Sequence, residues 1–204
     1  MIKSVTFHYF TLHPKRILRF GLACIISLSF ANCQHEPFPL KDLGRPSEFE
    51  LIDTQGQPYH YKPNSGTVRL VFFGYTYCPD YCPATMAKLR KVIPDLKIPE
   101  AEKPEVLFIS VDPERDTPEK LAGYLKGYSI NAIGLTGSTQ ALEVAAKEFH
   151  TFFQIEKKGD QIIVDHTTFL YLIDPEGRMR YMFRNSDSAD TIKHALLTLY
   201  AELD

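Results

Sequence analysis

Two apolar runs limit what this chain can fold into: Val68-Arg69-Leu70-Val71-Phe72-Phe73 and Val106-Leu107-Phe108-Ile109-Ser110-Val111. A strand with one wet face alternates apolar and polar residues, whereas a near-continuous apolar run needs cover on both faces. Each run is followed by a helix signal. Ala84-Thr85-Met86-Ala87-Lys88-Leu89-Arg90 reads as a helix opened by Pro83, whose missing amide would have no partner in a first turn anyway. Asp116-Thr117-Pro118-Glu119 reads as the start of a second helix reaching about Tyr128, with Asp116 as its capping side chain and Asp112 ending the strand before it in a proline turn.

The remaining pattern extends this alternation. Phe49–Asp53 and Tyr59–Tyr61 flank Thr54-Gln55-Gly56-Gln57-Pro58 as a small hairpin. A weak strand at Ala132–Leu135 and a helix from Ser138 to Phe149 come next, then a second hairpin, Phe152–Glu156 with Ile162–Val164. Thr168–Ile173 and Met179–Phe183 pair across the turn Asp174-Pro175-Glu176-Gly177. An amphipathic helix from Ala189 to Leu203 places Ile192, Ala195, Leu196, Leu199 and Leu203 on one side. The order predicts an α/β, thioredoxin-like sandwich with an N-terminal β-hairpin extension, spanning residues 48–204.

The first 33 residues hold four of the 23 Lys and Arg and none of the 25 Asp and Glu, and an apolar stretch from Phe20 to Ala31 follows the last cation. Cation, apolar stretch and small residues in that order read as a secretory signal peptide. The stretch is short of the roughly 20 residues that cross a bilayer, although Ile17 and Leu18 would lengthen it, so an uncleaved membrane anchor is the alternative. Cys33 ends Leu28-Ser29-Phe30-Ala31-Asn32-Cys33, where a bacterial lipoprotein signal would place its lipidated cysteine; Asn32 departs from the small residue usual before it. Residues 34–47, with Pro37, Pro39, Gly44 and Pro46, read as a tether, or alternatively as an arm packed on the domain. Without the leader, 19 basic side chains face 25 acidic ones, a formal charge of −6 with no basic stripe, which argues against nucleic acid as a partner.

Beyond Cys24 and Cys33, the chain has two cysteines, in Gly74-Tyr75-Thr76-Tyr77-Cys78-Pro79-Asp80-Tyr81-Cys82-Pro83. They stand where the first buried strand gives way to a helix. Side chains four apart on a regular helix keep their Cβ atoms about 5–6 Å apart, too far for a disulfide. The pair can close only if the segment is irregular, and Pro79 and Pro83 make it so. Cys82 precedes Pro83 at the positive end of the helix dipole, a location that favours a thiolate. Two thiolates suit a soft ion of low coordination such as Cu(I), and a third ligand would tighten the site. A structural disulfide would close too short a loop to stabilise much.

Of the seven histidines, His8 and His13 fall in the leader, His35 in the tether, His60 in a hairpin, and His150 and His194 in helical segments. His166, in Val164-Asp165-His166-Thr167-Thr168, stands just before an apolar strand, and in a thioredoxin-type fold that loop faces the cysteine loop. From the residues alone the favoured reading is a turn histidine bonded to backbone, with a metal ligand as the alternative. Tyr75, Tyr77 and Tyr81 read as packing around the cysteine loop, and Asp80 either tunes the thiolates or faces water.

Three segments together, Gly74 to Pro83, Ser110-Val111-Asp112-Pro113-Glu114-Arg115-Asp116-Thr117 and Asp165-His166-Thr167-Thr168, resemble the hallmark motifs of the Sco/SenC family. The similarity runs from about Phe49 to the C-terminus. The resemblance implies copper, as Cu(I) or Cu(II), held by Cys78, Cys82 and His166. It also implies a copper metallochaperone that loads the dinuclear copper site of cytochrome c oxidase subunit II, with a copper donor protein or a thiol reductant upstream. The location it implies is the periplasm, tethered to the inner membrane through the N-terminus. Thr167 falls about where thioredoxins carry a cis-proline. Asp112 and Asp116 admit a second reading here, an acidic loop that borders the copper site and helps dock a partner. The alternative function is a thiol:disulfide reductase that keeps the oxidase's copper-site cysteines reduced, with Cys78 and Cys82 as its redox-active pair; it needs both thiols but not His166.

Overall fold

The computed structural model describes residues 38–159 and 161–203. The expected leader, with Cys24 and Cys33, lies outside them. The central element is a seven-stranded sheet of order β2-β1-β5-β4-β3-β8-β9. Its members are β1 (Phe49–Asp53), β2 (Pro58–Tyr61), β3 (Arg69–Gly74), β4 (Glu105–Ser110), β5 (Ala132–Thr136), β8 (Leu170–Ile173) and β9 (Met179–Phe183). The two apolar runs are β3 and β4, paired in parallel at the centre of the sheet, and β5 extends the parallel set. Antiparallel β8 and β9 flank β3, and the β1–β2 hairpin flanks β5.

Alternation along β3 and β4 divides the core into two layers. Leu70, Phe72, Val106 and Phe108 point to one side and pack with Met86, Leu89, Leu121, Leu196 and Leu199. These come from α1 (Tyr81–Asp95), α2 (Pro118–Lys126) and α4 (Ala189–Leu203). Val71, Phe73, Leu107 and Ile109 point to the other side, against Leu142, Ala145 and Phe149 at α3 (Thr139–Glu148) and the segment after it. Every residue of β3 is buried, so the near-continuous apolar pattern of the run reflects cover on both faces. Its one cation, Arg69, is satisfied by Lys62 O at 2.6 Å and Glu105 at 3.1 Å.

The second hairpin, β6 (Phe153–Lys158) with β7 (Gln161–His166), forms a two-stranded sheet of its own. It lies on the α3 side, where Val164 is buried and Phe153, Ile155 and Ile162 pack against the core. The expected strand starting at Thr168 begins instead at Leu170, leaving Thr167–Phe169 as a connector. The helix expected to reach Tyr128 ends at Lys126. Residues 38–47 follow the course of the packed arm. Leu43 N donates to Met179 O at 2.9 Å, Met179 N to Gly44 O at 2.8 Å, and Phe38 meets the Tyr181 ring edge-on at 4.7 Å.

Register brings the chemistry to one end of the sheet. Gly74, the last residue of β3, pairs with Ser110, the last of β4, and Phe72 pairs with Leu170, the first of β8. The cysteine loop after β3, the acidic loop after β4 and the connector before β8 therefore leave the sheet at the same edge. No helix among the described residues is long and apolar enough to cross a membrane.

Candidate metal centre

Cys78 lies in the loop between β3 and α1, where its amide donates to Tyr75 O at 3.2 Å. Helix α1 starts two residues earlier than Pro83, and its N-cap residue Asp80 gives no side-chain cap. The Cys78 sulfur fills that role, accepting from Cys82 N at 3.5 Å. The helix N-terminus thus presents its free amide to Cys78 rather than to Cys82, where the sequence had placed the effect. Cys82 is instead wholly buried in the first turn, and burial pushes its thiol far above the usual cysteine range. Both cysteines are free thiols.

His166 closes β7 rather than standing free in a loop. Its Nδ1 lies 3.0 Å from Thr167 O, and since a carbonyl can only accept, Nδ1 carries the hydrogen. Nε2 is left with its lone pair, 4.0 Å from the Cys82 sulfur. Burial holds the imidazole below its usual pKa, against smaller opposing effects of the Thr167 carbonyl, the Asp165 charge and the Phe73 backbone, so the neutral ligating form prevails at pH 7. The backbone-bonded histidine and the ligand candidate are one residue in one geometry. Tyr75 and Phe72 meet the ring edge-on, with centroids at 5.6 and 6.4 Å, and fix its plane. The two sulfurs and one ring nitrogen lie within 4.8 Å of one another. Two thiols and an imidazole in a mostly apolar pocket fit a soft ion of low coordination. The other described histidines are elsewhere: His60 pairs with Glu50, His150 lies just past the end of α3 with φ +50°, and His194 meets Phe38 edge-on.

The acidic loop corrects two expectations. Asp116 does not cap α2; Thr117 does, accepting from Lys120 N at 3.4 Å. Fully buried Asp116 accepts instead from Thr76 N at 2.8 Å, Thr76 Oγ1 at 2.6 Å and Ser110 Oγ at 2.6 Å, tying the cysteine loop to the end of β4. Asp112 is also fully buried, its pKa raised chiefly by burial, and it pairs with Arg115. With no exposed surface, neither carboxylate can meet a partner directly. Of the tyrosines expected to pack around the loop, only Tyr75 does so. Tyr77 and Tyr81 are exposed, Arg115 lies 4.8 Å over the Tyr77 ring, and Asp80 faces water.

Residues 41–201 match the SCO1/SenC family model. The chain belongs to the SCO1/SenC family. A Schizosaccharomyces pombe relative, "Protein sco1", is 33% identical over 168 residues, covering 79% of this chain and 64% of the relative. Of three curated relatives, the chain spans only 46 to 64% of their own length. Arabidopsis thaliana ScoI, crystallised with copper bound, superposes with a TM-score of 0.71 at 29% identity, over 78% of this chain and 99% of that one. A SCO1/SenC family lipoprotein from Bacillus anthracis superposes with a TM-score of 0.65 at 25% identity, over 81% and 98% of the two chains. These neighbours share the thioredoxin-like fold described above.

Proposed function

We propose that this chain is a copper metallochaperone, binding the ion as cargo through Cys78 Sγ, Cys82 Sγ and His166 Nε2. The observation that carries the reading is the 4.0 Å approach of an oriented imidazole nitrogen to a buried thiol 84 positions away. A redox pair alone has no use for that nitrogen, whereas a two-sulfur metal site gains a third ligand from it. Copper in the Arabidopsis relative supports the choice of ion. The acceptor is the dinuclear copper site of cytochrome c oxidase subunit II, a finer assignment that follows the motif resemblance. The leader composition and the lipoprotein neighbour support a domain tethered at the periplasmic face of the inner membrane.

Binding replaces thiol protons with copper. Neutral His166 gives up none at pH 7, while the buried Cys82 thiol must lose its own. The decisive measurement is anaerobic Cu(I) titration of reduced protein against a competing chelator. His166→Ala should lower Cu(I) affinity by at least about tenfold, the usual scale for a ligand or its immediate support. The two thiols should still oxidise to a disulfide. Unchanged affinity would remove His166 from the ligand set.

A thiol:disulfide reductase acting on the oxidase's copper-site cysteines is a second reading, favoured by one observation. The Cys82 amide donates to Cys78 Sγ, the less buried of the two sulfurs and so the one placed to attack a disulfide. The same His166→Ala variant separates the two, since reduction of a disulfide substrate would survive the substitution.

A further inference from the structure

Arg115, on the turn between β4 and α2, touches three separate segments at once. Its Nε pairs with the buried carboxylate Asp112. Its Nη1 donates to Ile162 O at 3.4 Å, on β7. Its guanidinium lies 5.8 Å from the Tyr75 ring and 4.8 Å from the Tyr77 ring, both on the cysteine loop. Tyr75 in turn abuts His166.

The strand that carries His166 belongs to a hairpin with no ladder partner in the main sheet. Hydrogen-bond register therefore does not place it. Apolar packing of Phe153, Ile155, Ile162 and Val164 holds it down, but such packing is non-directional. The exposed Glu114–Lys157 pair adds little. Arg115 supplies a directed contact to the strand's own backbone at Ile162, four residues before the imidazole, beside the imidazole's bond to the Phe73 backbone. We propose that Arg115 is a positioning residue that holds the His166 hairpin in register with the two thiols. The role needs arginine. A planar guanidinium can stack on two rings while its fork bonds a carboxylate and a carbonyl; a lysine ammonium answers the Asp112 charge but not the rest.

The proposal rests on the copper-ligand reading, and the test separates the two. The full reduced chain is titrated with Cu(I) against a chelator, and the Cu(II)-loaded form is examined for nitrogen hyperfine coupling. Arg115→Lys should weaken Cu(I) binding about tenfold and broaden the nitrogen signal, while thiol count stays at that of the parent. In a His166→Ala background the lysine substitution should change affinity less than about twofold, because Arg115 acts through that ligand. The charge-free pair Asp112→Asn with Arg115→Gln removes any buried unpaired carboxylate and should show the same His166-dependent loss. A wild-type complex without nitrogen coupling overturns both readings. Intact coupling and affinity in Arg115→Lys, or equal losses with and without His166, overturn this one alone.

Discussion

At Gly74 there is no room for a side chain. A Cβ there would lie 2.8 Å from the Cys82 sulfur, 2.8 Å from Phe72 Cε1 and 3.1 Å from Phe108 Cζ. Gly74→Ala should cost about 1–3 kcal/mol in denaturant unfolding and weaken Cu(I) retention in the same variant, since the sulfur has to yield. Cys82 gives a pH prediction. Its folded thiol is held protonated by burial, and copper must displace that proton. Log Cu(I) affinity should therefore rise by at least about one per pH unit near neutrality, measured by chelator competition across pH 6–8. The place of both cysteines, where a buried strand gives way to a helix, was legible from spacing and from the run before them. His166 was not separable from a turn histidine by its residues alone, because sequence does not say which nitrogen faces what. Asp116 was misread as a cap. Asp and Thr stand side by side before Pro118, both suit an N-cap, and only the fold shows that Thr76 and Ser110 claim the carboxylate.

Among elements, those with strong periodicity were read correctly: β3, β4 and α4 coincide with the apolar runs and the amphipathic stripe. The β6–β7 pair was legible as a hairpin but not as a sheet standing apart from the main one. Strand periodicity reports a buried face, not which ladder a strand joins. The β8–β9 turn is constrained more tightly than its Asp-Pro-Glu-Gly composition reveals. Gly177 has φ +86°, and a Cβ there would come within 2.5 Å of the Pro63 carbonyl carbon. Gly177→Ala should lose about 2–4 kcal/mol of stability, combining left-handed strain with the clash. Copper stoichiometry of the folded fraction should not change, because this turn lies at the opposite end of β8 from the thiols. A drop in stoichiometry would show that the two ends of the sheet are coupled.

On the scale of the whole molecule, the seven-stranded sheet has two outer strands, β2 and β9, and the far side of β9 is partly covered by the arm from Phe38 to Gly44. Sequence left that arm open between tether and packed segment, since proline-rich composition fits either. Deleting Phe38–Gly44 should lower the melting temperature by roughly 4–10 °C and promote association through the bared edge, readable by calorimetry and light scattering. The candidate metal centre is lopsided: Cys82 is sealed inside, Cys78 is 8% exposed and His166 is half-buried. If the proposed cargo role holds, an acceptor would meet His166 and Cys78 before Cys82, because only those two are open to the outside. Cys82, the innermost of the three, would then be the last residue to hold the ion. A small chelator would face the same barrier as a client protein, and competition between them would turn on which can reach the innermost sulfur.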